Sequence, residues 1–353
     1  MGTRYLVLFP VFATVIICLF FTQNASATTV VKTIPVGASP YGVAYDSAKG
    51  EIFAANNGAG AVSVFSDSSI LDLSTITVGS YPGAMAYSPA THDIYVANQG
   101  AGTVSVINST NAVVKTITVG TDPIAIAYSP ATNDIYVANY VSSTVSVISP
   151  INNVVKTLVR SSPWNIAYNP ANHDIYVANE NSNTVSVINS TNTVIGTINV
   201  GTAPVAITFS PSSHGVYVAN ENSNNVSVIS PANTVVSTIT VGSFPVAMVY
   251  NPTNHNIYVA NENSNSVSVI RPTNTVNSTV TVGSNPVAIT YNPADHGIFV
   301  VNSLSNNVSV INPANTVVST ITVGSGPDAI AFNPAKNSTY VTNYGSNTVS
   351  LIR

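Results

Sequence analysis

Three glutamates occupy one position of a repeated sequence, and carboxylates grouped in this way can bind a cation. Glu180, Glu221 and Glu262 each follow an asparagine, at intervals of 41 residues. Since equivalent positions of consecutive repeats lie on one face of a repeat protein, the three are expected to form an acidic arc. Calcium accepts carboxylate and amide oxygens, so one hypothesis is weak binding of calcium or a polyamine. The alternative is a solvated loop, and no cofactor is predicted.

An irregularity in the same repeat marks a second candidate. A glycine stands three residues before a repeated proline in seven copies, as Gly37, Gly79, Gly120, Gly201, Gly242, Gly283 and Gly324. The eighth copy has Arg160 there, closely followed by Trp164, the single tryptophan. Arginine and tryptophan are enriched in binding hot spots, so we expect both on the face of the glutamate arc, with Tyr81 and Phe244 at related links. The alternative is that Trp164 only packs between repeats and Arg160 is neutral.

Five histidines occupy one turn position in five repeats and could suggest a metal site, namely His92, His173, His214, His255 and His296. Equivalent positions around a ring lie on the order of 10 Å apart, whereas zinc needs each nitrogen at about 2 Å. The histidines are therefore interpreted as turn residues, and no metal site is predicted. The one cysteine, Cys18, lies in the N-terminal segment and supplies no ligand to the rest of the chain.

Enzyme motifs do not occur in the sequence. It contains no Gly-x-Ser-x-Gly elbow, no Walker-type phosphate loop and no insertion outside the repeat. Asn-x-Ser/Thr sequons stand where turns are predicted, which makes N-glycosylation a hypothesis for Asn108, Asn189, Asn225, Asn277, Asn307 and Asn337.

The repeat itself predicts the strands and turns that carry these residues. A β-branched run ends in an asparagine in eight copies spaced by 40 to 42 residues, at Asn56, Asn98, Asn139, Asn179, Asn220, Asn261, Asn302 and Asn343. A proline keeps the same period, at Pro40, Pro82, Pro123, Pro163, Pro204, Pro245, Pro286 and Pro327. We interpret these motif asparagines as structural residues that cap a turn by bonding their own backbone.

One period contains four short runs rich in β-branched residues. In the copy that begins at Pro204 they are 205–209, 216–220, 226–229 and 235–241, separated by turns rich in Ser, Pro, Asn and Gly. Four antiparallel strands per repeat of about 41 residues are typical of a β-propeller blade. The sequence therefore predicts an all-β, closed propeller of eight four-stranded blades, with seven blades as the alternative.

The two ends of the chain complete one blade. Residues 30–36 match only the fourth strand of the unit, and residues 327–353 supply only the first three. A shared blade of this kind closes the ring and removes sheet edges that would otherwise pair with other chains. We therefore expect residues 28–353 to form a single propeller domain.

The repeat resembles the YVTN family of β-propeller repeats, found in archaeal surface-layer and other secreted proteins. Tyr340-Val341-Thr342-Asn343 carries the literal motif, and five other copies read Tyr-Val-Ala-Asn. The resemblance covers residues 28–353, and it implies that the first strand of each blade lines a central channel. The best-known surface-layer members look seven-bladed, whereas this chain has eight copies.

The N-terminus and the composition narrow the function. Arg4, an apolar run over residues 5–21 and Ala25-Ser26-Ala27 form the pattern of a signal peptide, residues 1–27, with cleavage after Ala27. An uncleaved anchor is the alternative. Only 6% of residues are charged and the net charge is −4, so nucleic acid is not an expected partner.

These features favour a noncatalytic protein that is secreted or displayed at the cell surface. Its expected role is structural or adhesive, with protein or glycan as partner, no membrane span after cleavage, and a monomer or a surface assembly as its state. The runner-up is a lactonase- or lyase-like propeller enzyme with a site at the channel mouth around Arg160 and Trp164, and with a divalent metal as a further possibility. A third hypothesis is a module that binds a small ligand in the channel.

Overall fold

The computed structural model describes residues 28–66 and 74–353. The expected signal peptide, residues 1–27, lies outside the described residues. Within them the chain forms eight four-stranded sheets arranged as a ring, which is a β-propeller of eight blades. The prediction of eight blades rather than seven is confirmed. In the described ranges no helix is both long and apolar enough to cross a membrane.

The strands are short and follow the repeat. Blades 1 to 4 contain β2 (Pro40–Asp46), β3 (Glu51–Asn56), β4 (Ala61–Ser66), β5 (Ser74–Thr77); β6 (Pro82–Ser88), β7 (Asp93–Asn98), β8 (Thr103–Ile107), β9 (Val113–Thr118); β10 (Pro123–Tyr128), β11 (Ile135–Asn139), β12 (Thr144–Ile148), β13 (Val154–Val159); and β14 (Pro163–Asn169), β15 (Asp174–Asn179), β16 (Thr184–Ile188), β17 (Val194–Asn199). Two short 3₁₀ helices, Asn57–Ala59 and Glu180–Ser182, follow β3 and β15.

Blades 5 to 8 repeat the pattern. They contain β18 (Pro204–Ser210), β19 (Gly215–Asn220), β20 (Asn225–Ile229), β21 (Val235–Thr240); β22 (Pro245–Tyr250), β23 (Ile257–Asn261), β24 (Ser266–Ile270), β25 (Val276–Thr281); β26 (Pro286–Asn292), β27 (Gly297–Asn302), β28 (Asn307–Ile311), β29 (Val317–Thr322); and β30 (Pro327–Asn333), β31 (Ser338–Asn343), β32 (Thr348–Ile352), joined by β1 (Val30–Pro35).

The strand order places the start of each blade at the centre of the ring. Neighbouring strands of a blade pair antiparallel in chain order. The first strands of adjacent blades contact one another around the whole ring, and β2 meets β30 to close it. The segment that joins one blade to the next is called the link, and the repeated proline that ends it is the link proline. In every blade the link proline pairs in register with the motif asparagine, as Pro204 does with Asn220. The links between blades and the turns after the asparagines therefore share one face.

The ring is closed by a strand from the other end of the chain. β1 pairs antiparallel with β32 and becomes the outer strand of blade 8, in the order β1-β32-β31-β30. Ile34 on β1 is buried in the same cluster as Leu351 and Tyr340. The prediction that the two ends of the chain complete one blade is confirmed. This pairing of β1 with β32, called the seam below, gives blade 8 four strands like the others.

The hydrophobic core lies between blades, not within one. The cluster between blades 4 and 5 joins Val185, Val187 and Ile198 of one sheet to Val216 and Val218 of the next. Because the middle strands of each blade are buried on both faces, they are apolar at nearly every position. The β-branched runs of the sequence therefore build eight equivalent sheet-on-sheet contacts.

Buried tyrosines add polar contacts between blades. Tyr217 on β19 is 1% exposed, and its hydroxyl donates to Asn274 Oδ1 of the next blade at 2.7 Å. Asn274 stands in the turn between the third and fourth strands with φ of 60°. The same bond recurs at four other blade contacts, Tyr95–Asn152, Tyr136–Asn192, Tyr176–Asn233 and Tyr258–Asn315. Each bond gives the proton of a tyrosine hydroxyl an acceptor in the neighbouring blade.

The motif asparagines act structurally but not as turn caps. Asn220 is fully buried, and its Nδ2 donates to Asn225 Oδ1 at 2.8 Å and to Ser227 Oγ at 2.9 Å, both on the adjacent strand. Equivalent bonds to Ser Oγ occur in all eight blades. The expected bond to the asparagine's own backbone is wrong, because the side chain lies between strands instead of over the turn.

The link glycines are required by close contact. A Cβ on Gly242 would lie 2.7 Å from Cγ of Asn261 and 2.4 Å from Oγ of Ser264. Left-handed backbone occurs two residues later, immediately before the proline, with φ between 49° and 63° at Ser39, Tyr81, Asp122, Ser162, Ala203, Phe244, Asn285 and Gly326. The glycine therefore makes room for the asparagine, and the next-but-one residue makes the turn.

Candidate ligand site at the channel mouth

Two rings of side chains surround the channel on the face that carries the blade links. The first ring is the residue after each link proline, namely Tyr41, Gly83, Ile124, Trp164, Val205, Val246, Val287 and Asp328. The second ring is the residue after each motif asparagine, namely Asn57, Gln99, Tyr140, Glu180, Glu221, Glu262, Ser303 and Tyr344. Each second-ring N–H donates to the carbonyl of the left-handed link residue, as Glu221 N does to Ala203 O at 2.8 Å. The scaffold thus holds both rings in place.

Two adjoining cavities open at this mouth. The first, of about 320 Å³, is lined by Tyr41 and Trp164, by the carboxylates Glu221, Glu262 and Asp328, and by the valines of blades 5 to 7. The second, of about 300 Å³, is again lined by Tyr41 and Trp164, here with Asp122, Ile124 and Tyr140 among its other residues. The two aromatic residues, from blades 1 and 4, therefore stand between the two halves of the mouth.

The tryptophan is held by an aromatic neighbour. Trp164 meets Tyr140 in an edge-to-face contact with ring centroids 5.4 Å apart and planes at 86°. It remains 39% exposed, and Tyr41 is 42% exposed. A ligand in the mouth can therefore cover a large aromatic area that the protein itself leaves open.

The mouth is acidic. Burial raises the pKa of Glu221, and the neighbouring carboxylates of Glu180 and Glu262 raise it further. The structure thus brings the three predicted glutamates together, with Glu221 and Glu262 in the cavity and Glu180 beside the Tyr140 hydroxyl, whose pKa it raises. Their role in binding stays a prediction.

Among the described residues of the mouth, Asp328 has the pKa that departs furthest from its ordinary value. Burial raises the pKa of its carboxyl from 3.8 to about 6. Its charge in turn adds to the effect of burial in raising the pKa of Tyr41. In the described part of the chain, the Asp328 carboxylate forms no hydrogen bond or ion pair. The group can therefore take up or release a proton near neutral pH.

Arg160 lines neither of the two mouth cavities, and its role in binding stays a prediction. It lines a separate cavity of about 260 Å³ with Asn179, Ser186 and Thr197. Its N–H donates to Ser143 O, the bond that the valine before the glycine makes in other links, for example Val241 to Asn224. Arg160 thus occupies the valine position, and the glycine is the residue that this shorter link lacks. Burial in that position lowers the pKa of its guanidinium.

The other two predicted aromatic residues also lie away from the cavities. Tyr81 and Phe244 are the left-handed residues of their links, with φ of 51° and 63°, and their carbonyls accept the second-ring N–H bonds. Tyr81 is 57% exposed and packs over Gly100. Neither lines either mouth cavity, so both stay predictions as binding residues.

The histidines occupy the opposite face. All five have positive φ, from 51° to 64°, in the turn between the first and second strands. Four of them pair through Nδ1 with a tyrosine hydroxyl five residues earlier, as His173 does with Tyr168 at 2.7 Å. They are turn residues, as predicted. Among the described residues no three His, Cys, Asp or Glu side chains converge closely enough to hold a metal ion.

The six sequons differ in their accessibility. Asn225 and Asn307 are partly buried and accept bonds from motif asparagines, each at 2.8 Å. Asn108 and Asn189 accept bonds from residues two positions later in exposed turns. Asn277 and Asn337 are exposed. Glycosylation stays a prediction. The side chains of Asn108, Asn189, Asn277 and Asn337 suit it better than those of Asn225 and Asn307, which bond the motif asparagines.

The sequence-based reasoning missed Tyr41 and Asp328. Both directly follow a link proline, which is the position of Trp164 in its own blade. An alignment of the eight repeats on that proline would have placed all three in one ring. The sequence does contain this signal, because the residue after the link proline differs among the blades more than the strand residues do. The irregular link before Pro163 pointed only to Trp164.

Comparison with known proteins agrees with the fold. A family model described as "Lactonase, 7-bladed beta-propeller" matches residues 153–276, about a third of the chain, including Trp164 and the three glutamates. No curated protein matches the chain. The match supports a β-propeller, and the blade count here is eight.

Solved structures of similar fold are enzymes of different kinds. A catalytically inactive histidine-to-alanine variant of virginiamycin B lyase from Staphylococcus aureus, with quinupristin, has a TM-score of 0.65 at 14% identity, covering 77% of this chain and 94% of that chain. Hydrazine synthase of Kuenenia stuttgartiensis gives 0.63 at 21%, covering 77% and 95%. Dihydro-heme d1 dehydrogenase gives 0.73 at 12%, covering 89% and 73%. At these identities the likeness defines the fold alone.

Proposed function

We propose that this protein is a noncatalytic binding propeller of the cell exterior, which uses the channel mouth to hold a protein or glycan partner. One observation carries the proposal. The strands repeat almost unchanged from blade to blade, whereas the two mouth rings contain aliphatic, aromatic, amide and acidic residues in an unequal arrangement. Function added to a repeated scaffold is expected where the repeat is broken.

The mouth also has the composition of a recognition surface. Exposed Trp164 and Tyr41 flank cavities whose other walls are valines and carboxylates. Buried tryptophan and tyrosine dominate the energetics of interfaces because each covers a large area with few rotatable bonds. The neighbouring valines offer apolar contact, and the carboxylates add specificity.

The proposal can be tested by binding to arrays of glycans and peptides. The immobilised protein is compared with Trp164→Ala and with Val236→Ala, whose side chain is 60% exposed on the outer rim. We expect Trp164→Ala to lower the affinity of any captured partner at least tenfold and Val236→Ala to leave it unchanged. A partner that binds all three proteins equally would contradict a role of the mouth.

Export is the second part of the proposal. The pattern of residues 1–27 and the resemblance of the repeat to the YVTN family of secreted proteins support it. Protease shaving of intact cells, followed by identification of the released peptides, tests it together with N-terminal sequencing of the mature chain. We expect shaving to release peptides from the propeller and the mature chain to begin at Thr28. Export would be contradicted if no such peptides were released and the chain inside the cell kept residues 1–27.

A lactonase- or lyase-like activity is the second candidate function. The family match over residues 153–276 favours it, as does Asp328, whose pKa of about 6 suits a general base. The virginiamycin B lyase variant named above is inactive after the loss of a histidine, while the five histidines of this chain lie on the face opposite the mouth. Among the described residues, the lining of the two mouth cavities contains no histidine.

The enzyme alternative has its own test. Lactone hydrolysis and cleavage of cyclic depsipeptides are measured with and without calcium or magnesium, in the wild type and in Asp328→Asn. A turnover that Asp328→Asn abolishes while the protein stays folded would favour the enzyme. Turnover that is absent from wild type under all these conditions favours the binding protein.

A further inference from the structure

We infer that the partner places an organic ammonium group in the channel mouth, bound between Trp164 and Tyr41 over the carboxylates of Glu221, Glu262 and Asp328. The inference rests on the proposed function and names the chemical class of its ligand. It concerns the cavity of about 320 Å³, which has the size of a small-molecule site.

The cavity walls combine two features that together select such a cation. Trp164 of blade 4 and Tyr41 of blade 1 are both exposed aromatic residues. The face of an aromatic ring attracts a cation, by roughly 0.5 to 2 kcal/mol, and tryptophan does so best. Val205, Val246 and Val287 line the side between the two aromatics and contact an apolar body. An alkylammonium group matches both the rings and the valines.

The carboxylates of the cavity lack a cation supplied by the protein. Among the described residues a salt bridge joins Lys49 to Glu51, where the first two strands of blade 1 meet on the face opposite the mouth. The basic residues other than Arg160 lie on outer strands, in turns of the opposite face or at the end of β32, as Lys32, Lys49, Lys115, Lys156, Arg271, Lys336 and Arg353. Arg160 lines a cavity of its own. The negative field of the mouth is therefore open to an external cation.

The spacing of the acids favours an organic cation over a metal ion. Glu221, Glu262 and Asp328 belong to blades 5, 6 and 8, and among the described residues no three such groups converge on a metal-sized point. Calcium needs its oxygens within about 2.6 Å. A cation with its charge on an extended body can instead approach several carboxylates at once while it covers the rings.

Intrinsic fluorescence gives a direct readout, because Trp164 is the single tryptophan of the chain. The mature protein is titrated at low ionic strength with tetramethylammonium, choline and spermidine. Two controls accompany them: 3,3-dimethylbutanol, the uncharged analogue of choline, and calcium chloride. We expect at least one ammonium probe to change the emission saturably, with at least tenfold weaker binding of 3,3-dimethylbutanol than of choline if choline binds, and weaker binding at high salt.

Variants separate the contributions of charge and ring. The triple change Glu221→Gln, Glu262→Gln and Asp328→Asn is expected to weaken binding at least tenfold. Asp295→Asn, on an exposed turn of the opposite face, keeps the acceptor for Gly297 N–H and is expected to bind as the wild type does. Trp164→Ala, followed by calorimetry, is expected to weaken binding similarly.

Several outcomes would overturn the inference. They are the absence of saturable binding by all three ammonium probes, equal binding of choline and its uncharged analogue, full binding by the triple variant, or a response to calcium that replaces the ammonium response. Binding of a neutral glycan at the mouth without any ammonium binding would overturn this inference and leave the proposed function standing. Failure of the array experiment at the mouth would remove both.

Discussion

Asp328 shows how a single residue of the mouth links binding to folding. Its carboxyl has a pKa of about 6 in the folded protein against 3.8 for the free group, because burial disfavours the charge. The folded state therefore holds the proton more tightly than the unfolded state. The protonated Asp328 carboxyl therefore contributes to the free energy of unfolding. This contribution is fully present below about pH 4 and is lost as the pH rises through about 6.

Replacement of this aspartate predicts a stability change that depends on pH. Asp328→Asn is expected to raise the free energy of unfolding by about 1 to 3 kcal/mol at pH 8, from roughly 1.4 kcal/mol per unit of pKa, and to change it little at pH 4. Urea denaturation at both pH values measures it, with Asp295→Asn as the exposed control. An equal effect of Asp328→Asn at the two pH values would contradict the burial argument.

The link glycines predict a second effect at the residue scale. Gly242→Ala pushes a Cβ to within 2.7 Å of the Asn261 side chain and is expected to cost about 1 to 3 kcal/mol. Gly196→Ala is the matched control, since its Cβ would meet nothing nearer than Val187 at 3.9 Å and is expected to be neutral or stabilising. The urea midpoints of the two variants measure this. A loss of stability that is equal in both would point to backbone freedom, not contact.

Arg160 illustrates what residue counting can and cannot predict. The sequence located the unusual link correctly and placed Trp164 on the mouth face, because its position after the proline is preserved. It aligned Arg160 with the glycines of the other links, because a count back from the proline assumes a link of constant length. The backbone bond from Arg160 to Ser143 instead aligns this residue with the valines of other links. A one-residue deletion cannot be assigned to a position without that bond.

At the scale of elements, nearly every strand was predictable. Turn residues and β-branched runs alternate with a period that only four antiparallel strands can satisfy, and the central strand followed from the resemblance. The partners of the motif asparagine were not predictable. They lie on the adjacent strand, five and seven residues later, and depend on a register that pairs Asn220 with Asn225. A hydrophobic pattern specifies the register where only one face of a strand is buried, but β19 and β20 are buried on both faces.

The seam strand makes the prediction that belongs to this scale. Ile34 on β1 is 2% exposed, whereas Val31 on the same strand is 50% exposed. Ile34→Asp places a charge in the cluster that joins β1 to blade 8, so we expect the strand to detach and the open edge of β32 to pair with other chains. Size-exclusion chromatography with light scattering measures the resulting association.

The matched control for the seam is Val31→Asp, which adds the same charge on the solvent side of β1. It is expected to stay monomeric in the same experiment and to keep the wild-type urea midpoint. Association of both variants, or of neither, would contradict the account of β1 as the strand that closes the ring.

At the scale of the whole molecule, the ring separates scaffold from site. Eight blade contacts bury the apolar strands, and the carboxylates of the link face collect around the channel, away from most of the basic residues. The sequence predicted the ring and the acidic arc because both follow from the period. It could not predict the cavities, since these arise where side chains from blades 1, 4 and 8 meet across the channel.

Binding at the channel mouth can be measured by blocking the mouth while the rest of the ring stays unchanged. Calorimetric titration with choline and spermidine compares the wild type with Val246→Arg, in the first ring, and Val236→Arg, on the outer rim. The arginine at position 246 fills the cavity and supplies the cation itself. The account predicts loss of binding in Val246→Arg and wild-type affinity in Val236→Arg, whereas equal binding by all three proteins would contradict it.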